Sequence, residues 1–181
     1  MAEAFSNKLA RAVGVVSTSS AGTVGITSTI ITGVSTAGLN VGDLVDNQHY
    51  IAGTKILNFG TAAQQVVCDR SSTNTASASG QNVKFLAANS VYQSPNNVKS
   101  ILIGGTFANN TNNQVNLTVS VYDDSAAVES SIAQKIPVPS GSSFVISDAG
   151  KTLLEPNDAV RVYCDTDNAI DVNLSILTGV S

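Results

Sequence analysis

Between residues 98 and 178 apolar and small polar side chains alternate, and a β-strand is the element that sorts such a pattern onto two faces. In Val115-Asn116-Leu117-Thr118-Val119-Ser120-Val121 every second side chain is apolar. Ile101/Ile103, Val160/Val162/Cys164 and Val172/Leu174/Ile176 repeat the pattern, each bounded by Asn, Gly, Pro or Asp. The alternation predicts strands near 90–93, 98–108, 115–122, 131–138, 143–147, 152–154, 158–164 and 169–178. So many short strands on alternating faces predict an antiparallel β-sandwich over 89–181, jelly-roll-like in outline. Pro137 and Pro139 flank Val138, so that strand ends there or lies on an edge. Ser140-Gly141 and Glu155-Pro156-Asn157-Asp158 read as turns. Gly104-Gly105 inside a strand reads as a bulge or a close backbone approach.

Residues 14–88 are rich in Thr, Ser, Val, Ile and Gly, with strands predicted near 23–32, 43–47, 54–58, 64–69 and 82–86. Their close spacing predicts a small β-barrel or compact meander. The tract Ser71–Gly80, almost wholly Ser, Thr, Asn, Ala and Gly, separates the last two. Residues 1–13 place Phe5 and Leu9 four apart, which suits one face of a short helix. A helix so short is marginal alone. The segment therefore reads as a short N-terminal arm, helical or extended, that docks on a neighbour through Phe5 and Leu9, or else as a frayed terminus. The expected class is all-β: an arm (1–13), a barrel-like module (14–88) and a sandwich (89–181).

Composition narrows the role. Only 12% of residues are charged, about half the usual share. Ser, Thr, Asn, Gly and Ala take their place, a balance common in secreted, adhesive or assembled β proteins. The net charge is −4 and the nine Lys and Arg are scattered singly, so there is no basic patch to neutralise phosphates and no nucleic-acid partner is expected. No apolar run approaches the ~20 residues that cross a bilayer as a helix, and residues 1–16 lack the apolar core of a signal peptide. Cys68 and Cys164 read as buried free thiols, with a mutual disulfide as the alternative.

Residues able to carry chemistry are sparse. The single histidine, His49, lies in a polar turn with no nucleophile placed beside it by the sequence. Asp123-Asp124 reads as a solvated turn. Asp165-Thr166-Asp167-Asn168-Ala169-Ile170-Asp171 reads as a hairpin turn or a weak cation site, since it lacks the glycine and closing glutamate of an EF-hand loop. A glycosidase needs two facing carboxylates and aromatic residues for its sugar, and the chain has no Trp. No catalytic residue, metal or cofactor is expected, and the chain reads as a non-enzyme.

The turn motifs carry a resemblance. Val91-Tyr92-Gln93-Ser94-Pro95 leads into the long strand ending at Asn109-Asn110; Ile136-Pro137-Val138-Pro139-Ser140-Gly141-Ser142-Ser143 and Leu153-Leu154-Glu155-Pro156-Asn157-Asp158 follow. This succession resembles small virion structural proteins of tailed bacteriophages, marine cyanophages in particular, with Asn157 where glycine is usual. Asparagine tolerates a positive φ, so the turn should survive. Val41-Gly42-Asp43-Leu44-Val45, Ile51-Ala52-Gly53-Thr54-Lys55-Ile56 and Val83-Lys84-Phe85 are similar to a module recurring in phage and bacterial surface proteins, without its usual proline. The resemblance implies a virion location and a non-enzymatic role as capsid decoration or cement protein, or as a neck or tail accessory. It implies major capsid, neck or tail subunits as partners, and a homo-oligomer. The alternative is a host-surface glycan or receptor-binding module of a phage fibre, for which Tyr50 and Tyr122 are the aromatic contact candidates.

Overall fold

Antiparallel strands take up the alternation throughout. The computed structural model describes residues 3–147 and 151–180, and among them lie fifteen strands and no helix. In chain order these are β1 (Ala4–Val13), β2 (Val16–Val24), β3 (Ile30–Thr32), β4 (Leu44–Asp46), β5 (Ile56–Phe59), β6 (Gln65–Cys68), β7 (Ala78–Leu86) and β8 (Asn89–Gln93). They continue as β9 (Lys99–Asn109), β10 (Val115–Asp123), β11 (Val128–Val138), β12 (Ser143–Ile146), β13 (Thr152–Leu154), β14 (Ala159–Cys164) and β15 (Ile170–Val180). Two compact units result. Val15–Ala88 forms one; Met1–Gly14 and Asn89–Ser181 together form the other, so the first unit is an insertion between β1 and β8.

The discontinuous unit is sandwich-like. One sheet runs β1-β15-β9-β12, with β13 also on β9; the other runs β11-β10-β14-β8. Their facing sides share one core. Leu102 and Phe107 of β9 and Val172, Leu174 and Ile176 of β15 meet Leu117 and Val119 of β10 and Val160, Val162 and Cys164 of β14. The two prolines act as expected, since β11 is an edge strand and stops at Val138. Gly104 and Gly105 combine both readings given to them. The β9–β15 register slips beside them, a Cβ on Gly104 would lie 2.8 Å from Ile146 O, and one on Gly105 would lie 2.7 Å from Leu174 Cδ2.

The N-terminal segment takes the extended of its two expected forms, and it docks on β15 of its own chain. Ala4 to Ala10 pair in unbroken register with Thr178 to Val172 of β15, and β1 is thereby the edge strand of its sheet. The spacing of Phe5 and Leu9 suits both forms, because four residues is a multiple of the strand period as well as close to the helical one. A bulge after Ala10, with Ala12 at φ 55, ends the ladder. Gly14, at φ +128, then leads into the insertion where a Cβ would lie 2.3 Å from Thr166 O.

The inserted unit is a six-stranded sheet in the order β4-β7-β2-β3-β6-β5. It is not closed into a barrel, contrary to expectation: its edge strands meet only around one bridge, Leu44 to Lys55. The strand expected over 23–32 is two, β2 and β3, with Thr27 at φ 46 in the turn between them. Its core gathers Val24, Ile31, Val34, Val45, Tyr50, Ile56, Val66, Cys68, Val83 and Phe85. The Ser71–Gly80 tract is tied down at Ser72, which is 2% exposed: its Oγ donates to Gly25 O at 2.8 Å and accepts from Ser28 N at 2.9 Å. Cys68 and Cys164 are both buried and neither forms a disulfide, one lying in each unit.

Candidate interaction surface

The polar residues of the turn motifs are occupied within the fold. Tyr92 Oη and Ser94 Oγ each lie 2.8 Å from Ser100 Oγ, all three residues being buried. Ser94 N donates to Asp158 O at 2.8 Å and Asn157 N donates to Ser94 O at 3.1 Å, so the first and last motifs clasp each other. Asn157 sits at φ 70, the left-handed conformation read for it. The proline motif is held by Asn109, whose Nδ2 donates to Val138 O at 2.9 Å and to Asn113 O at 2.7 Å. Asn109, at the end of β9 and only 3% exposed, is a buried hub, its Oδ1 accepting from Thr111 N at 2.8 Å.

The carboxylates are similarly engaged. Asp165 accepts from Asn116 N at 2.9 Å and Asn116 Nδ2 at 2.7 Å; Asp171 accepts from Ala12 N at 2.9 Å and Asn110 Nδ2 at 3.2 Å. These bonds pin a hairpin and the end of β1. Among the described residues no group of three His, Cys, Asp or Glu could hold a metal. Asp123 caps its own turn, and the hydrogen bonds from Ala126 N and Ser125 Oγ hold its carboxyl below the usual range. His49 lies in the turn before Tyr50, its Nε2 3.4 Å from Gln48 Nε2.

Neither tyrosine offered as an aromatic contact presents a free ring. Tyr50 is 6% exposed in the core of the inserted unit, and its hydroxyl donates to Ser28 O at 3.0 Å. Burial pushes its pKa up, and burial likewise raises the adjacent Cys68 thiol to about 12. Tyr122 is half-buried on the outer face of the β10–β14 sheet, with Arg161 Cζ 3.7 Å from its ring centroid. Arg161 Nη1 donates to Glu129 Oε2 at 3.0 Å, Tyr163 Oη donates to Glu129 Oε1 at 2.8 Å, and Ser120 Oγ donates to the same oxygen. Sequence reasoning missed this cluster, because its members are spread over three strands and meet only through register.

Phe5 and Leu9 are the apolar candidates that remain on the surface. Both lie on the outer face of β1, 62% and 73% exposed. Register extends that face across the sheet. Phe5 lies opposite Leu177, Leu177 opposite Ile101, and Ile101 opposite Leu153, giving an apolar row from one edge to the other. A second row runs from Leu9 through Asn173 and Thr106 to Val145, which is 56% exposed. A depression of about 350 Å³ lies at the β1 end of this second row, lined by Leu9, Arg11, Thr106, Ala108, Asp171 and Asn173 among others. Directly opposed side chains in an antiparallel pair share a face, so these residues form one patch. The first row is apolar; the second mixes Leu9 and Val145 with Asn173 and Thr106, and Arg11 and Asp171 lie 3.9 Å apart at its β1 end. The chain was compared with protein-family models, curated proteins and solved structures, and nothing matches in any of the three.

Proposed function

We propose that the chain is a non-enzymatic structural component of a tailed-bacteriophage virion, a capsid decoration or cement protein or a neck or tail accessory, acting through subunit contacts. A jelly-roll-like course for the sandwich belongs to the same reading. The observation that carries it is the apolar row Phe5–Leu177–Ile101–Leu153 on the outer side of a sheet whose inner side is already packed. Large exposed apolar patches mark contact surfaces. Burying Phe5 and Leu9 side chains fully is worth about 1.5–3 kcal/mol each, and many copies on a lattice make modest contacts effective. Asp123, Asp165 and Asp171, the carboxylates singled out in the sequence, hold turns and strand ends.

The glycan- or receptor-binding alternative is weakened by the burial of Tyr50 and the stacking of Tyr122 under Arg161. The test is made on particles. Gold-labelled antibody against the chain should decorate purified virions of the phage that carries its gene, and Leu9→Lys should lower the label per particle severalfold. Unlabelled virions would overturn the proposal.

A further inference from the structure

β1 closes one side of its sheet, and among the described residues no strand pairs with its outer edge. Such an edge offers a row of backbone N–H and C=O groups to another strand. The run Glu3-Ala4-Phe5-Ser6-Asn7-Lys8-Leu9-Ala10-Arg11 is complementary to its own reverse. Counted from Asn7, Phe5 lies as far out as Leu9, and Glu3 as far out as Arg11. We infer that two copies of this chain join β1 to β1, antiparallel, with Asn7 opposite Asn7 on a twofold axis. The inference rests on the reading that the chain works through subunit contacts, and it names the partner and register.

Register and charge select this pairing. Phe5 of each copy meets Leu9 of the other on the outer face, where both are exposed, and Glu3 meets Arg11 at each end. Arg11 is available for this, being 89% exposed with its Asp171 contact stretched to 3.9 Å. A slip of one residue sets the outer face of one copy against the inner face of the other. A slip of two in one direction puts Lys8 opposite Lys8, and in the other puts Phe5 opposite Asn7 and Leu9 opposite Glu3. Like charges directly opposed are unfavourable. Only the Asn7-centred register pairs both the apolar side chains and the opposite charges.

Cysteine cross-linking of the full chain reads the register. Opposed residues of antiparallel strands lie about 4.5–5.5 Å apart at Cα, inside the disulfide range. Asn7 suits the substitution, since its Oδ1 accepts only a long 3.4 Å bond from Ser175 Oγ, and native Cys68 and Cys164 are buried. Under mild oxidation Asn7→Cys should give a covalent dimer at least tenfold faster than Ser6→Cys or Lys8→Cys alone, while a mixture of the latter two should cross-link to each other. In sedimentation velocity, Arg11→Glu should weaken the wild-type dimer and Glu3→Arg with Arg11→Glu should restore it. Asn7→Cys staying monomeric, or Ser6→Cys and Lys8→Cys self-linking as fast, would overturn the inference. With labelled virions that result removes only the self-pairing; the structural reading falls only with unlabelled ones.

Discussion

Replacing Glu129 tests whether the outer face of the β10–β14 sheet is held by one buried carboxylate. Its side chain is 6% exposed and bonded to Arg161, Tyr163 and Ser120. In Glu129→Ala the Tyr163 hydroxyl, on a residue with no exposed surface, loses its acceptor, at a cost of about 1–3 kcal/mol. Arg161 is 26% exposed, so water recovers part of its loss. Removing one partner of a fully buried pair costs about 3–5 kcal/mol, and partial exposure of Arg161 puts this case near the lower end, about 3 kcal/mol. Tyr163→Phe leaves the carboxylate with Ser120 and Arg161 and should cost about 1 kcal/mol. The assay is urea unfolding followed by tyrosine fluorescence. The chain has no Trp, and three of its four tyrosines (Tyr92, Tyr122 and Tyr163) belong to the discontinuous unit, so the signal reports that unit. A loss below about 1 kcal/mol for Glu129→Ala, or one no larger than for Tyr163→Phe, would refute the account.

Two further outcomes follow from local geometry. Gly14→Ala should destabilise the discontinuous unit by about 2 kcal/mol or more in the same urea assay, because φ +128 is strained for any L side chain and the new Cβ meets Thr166 O at 2.3 Å. Alkaline pH should destabilise the inserted unit through Cys68. Its folded pKa, about 12, lies above an ordinary value of 9.0, so the stability it contributes is intact below pH 9 and is lost as pH rises toward 12. The slope is about 1.4 kcal/mol per pH unit. Between pH 8 and pH 11 Cys68→Ala should therefore lose about 2–3 kcal/mol less than wild type in urea melts followed by far-UV circular dichroism.

How legible each part was depends on the range over which its cause acts. Alternation is local, so the sandwich strands from Val115–Val121 to Val172–Ile176 were readable, as were the turn at Asn157 and the stop at Pro137 and Pro139. Periodicity could not tell β1 from a helix, since Phe5 and Leu9 fit both periods. It could not tell the insertion from a module in series either, because that depends on β1 pairing with β15, more than 150 residues away in sequence. The barrel expectation failed for a related reason: closure requires a continuous ladder between β4 and β5, where the chain makes one bridge.

The same distinction explains why the turn motifs speak of the scaffold and not of a binding surface. Ser94, Asn157 and Asp158 clasp one another, and the carbonyls of Val138 and Pro139 accept from Asn109. Any chain that needs this sandwich needs those bonds, so such motifs specify the scaffold. Side chains that the scaffold leaves over are the ones free to meet a partner. Phe5, Ile101, Leu153 and Leu177 are separated in sequence by up to 172 positions (177 − 5), and only cross-strand register brings them into one row. Phe5 and Leu9 alone were visible beforehand, as two apolar residues on a short segment. Register gives them a meaning the sequence lacked: they form the β1 end of an apolar face and flank, at equal distances, the residue about which its edge is complementary to itself.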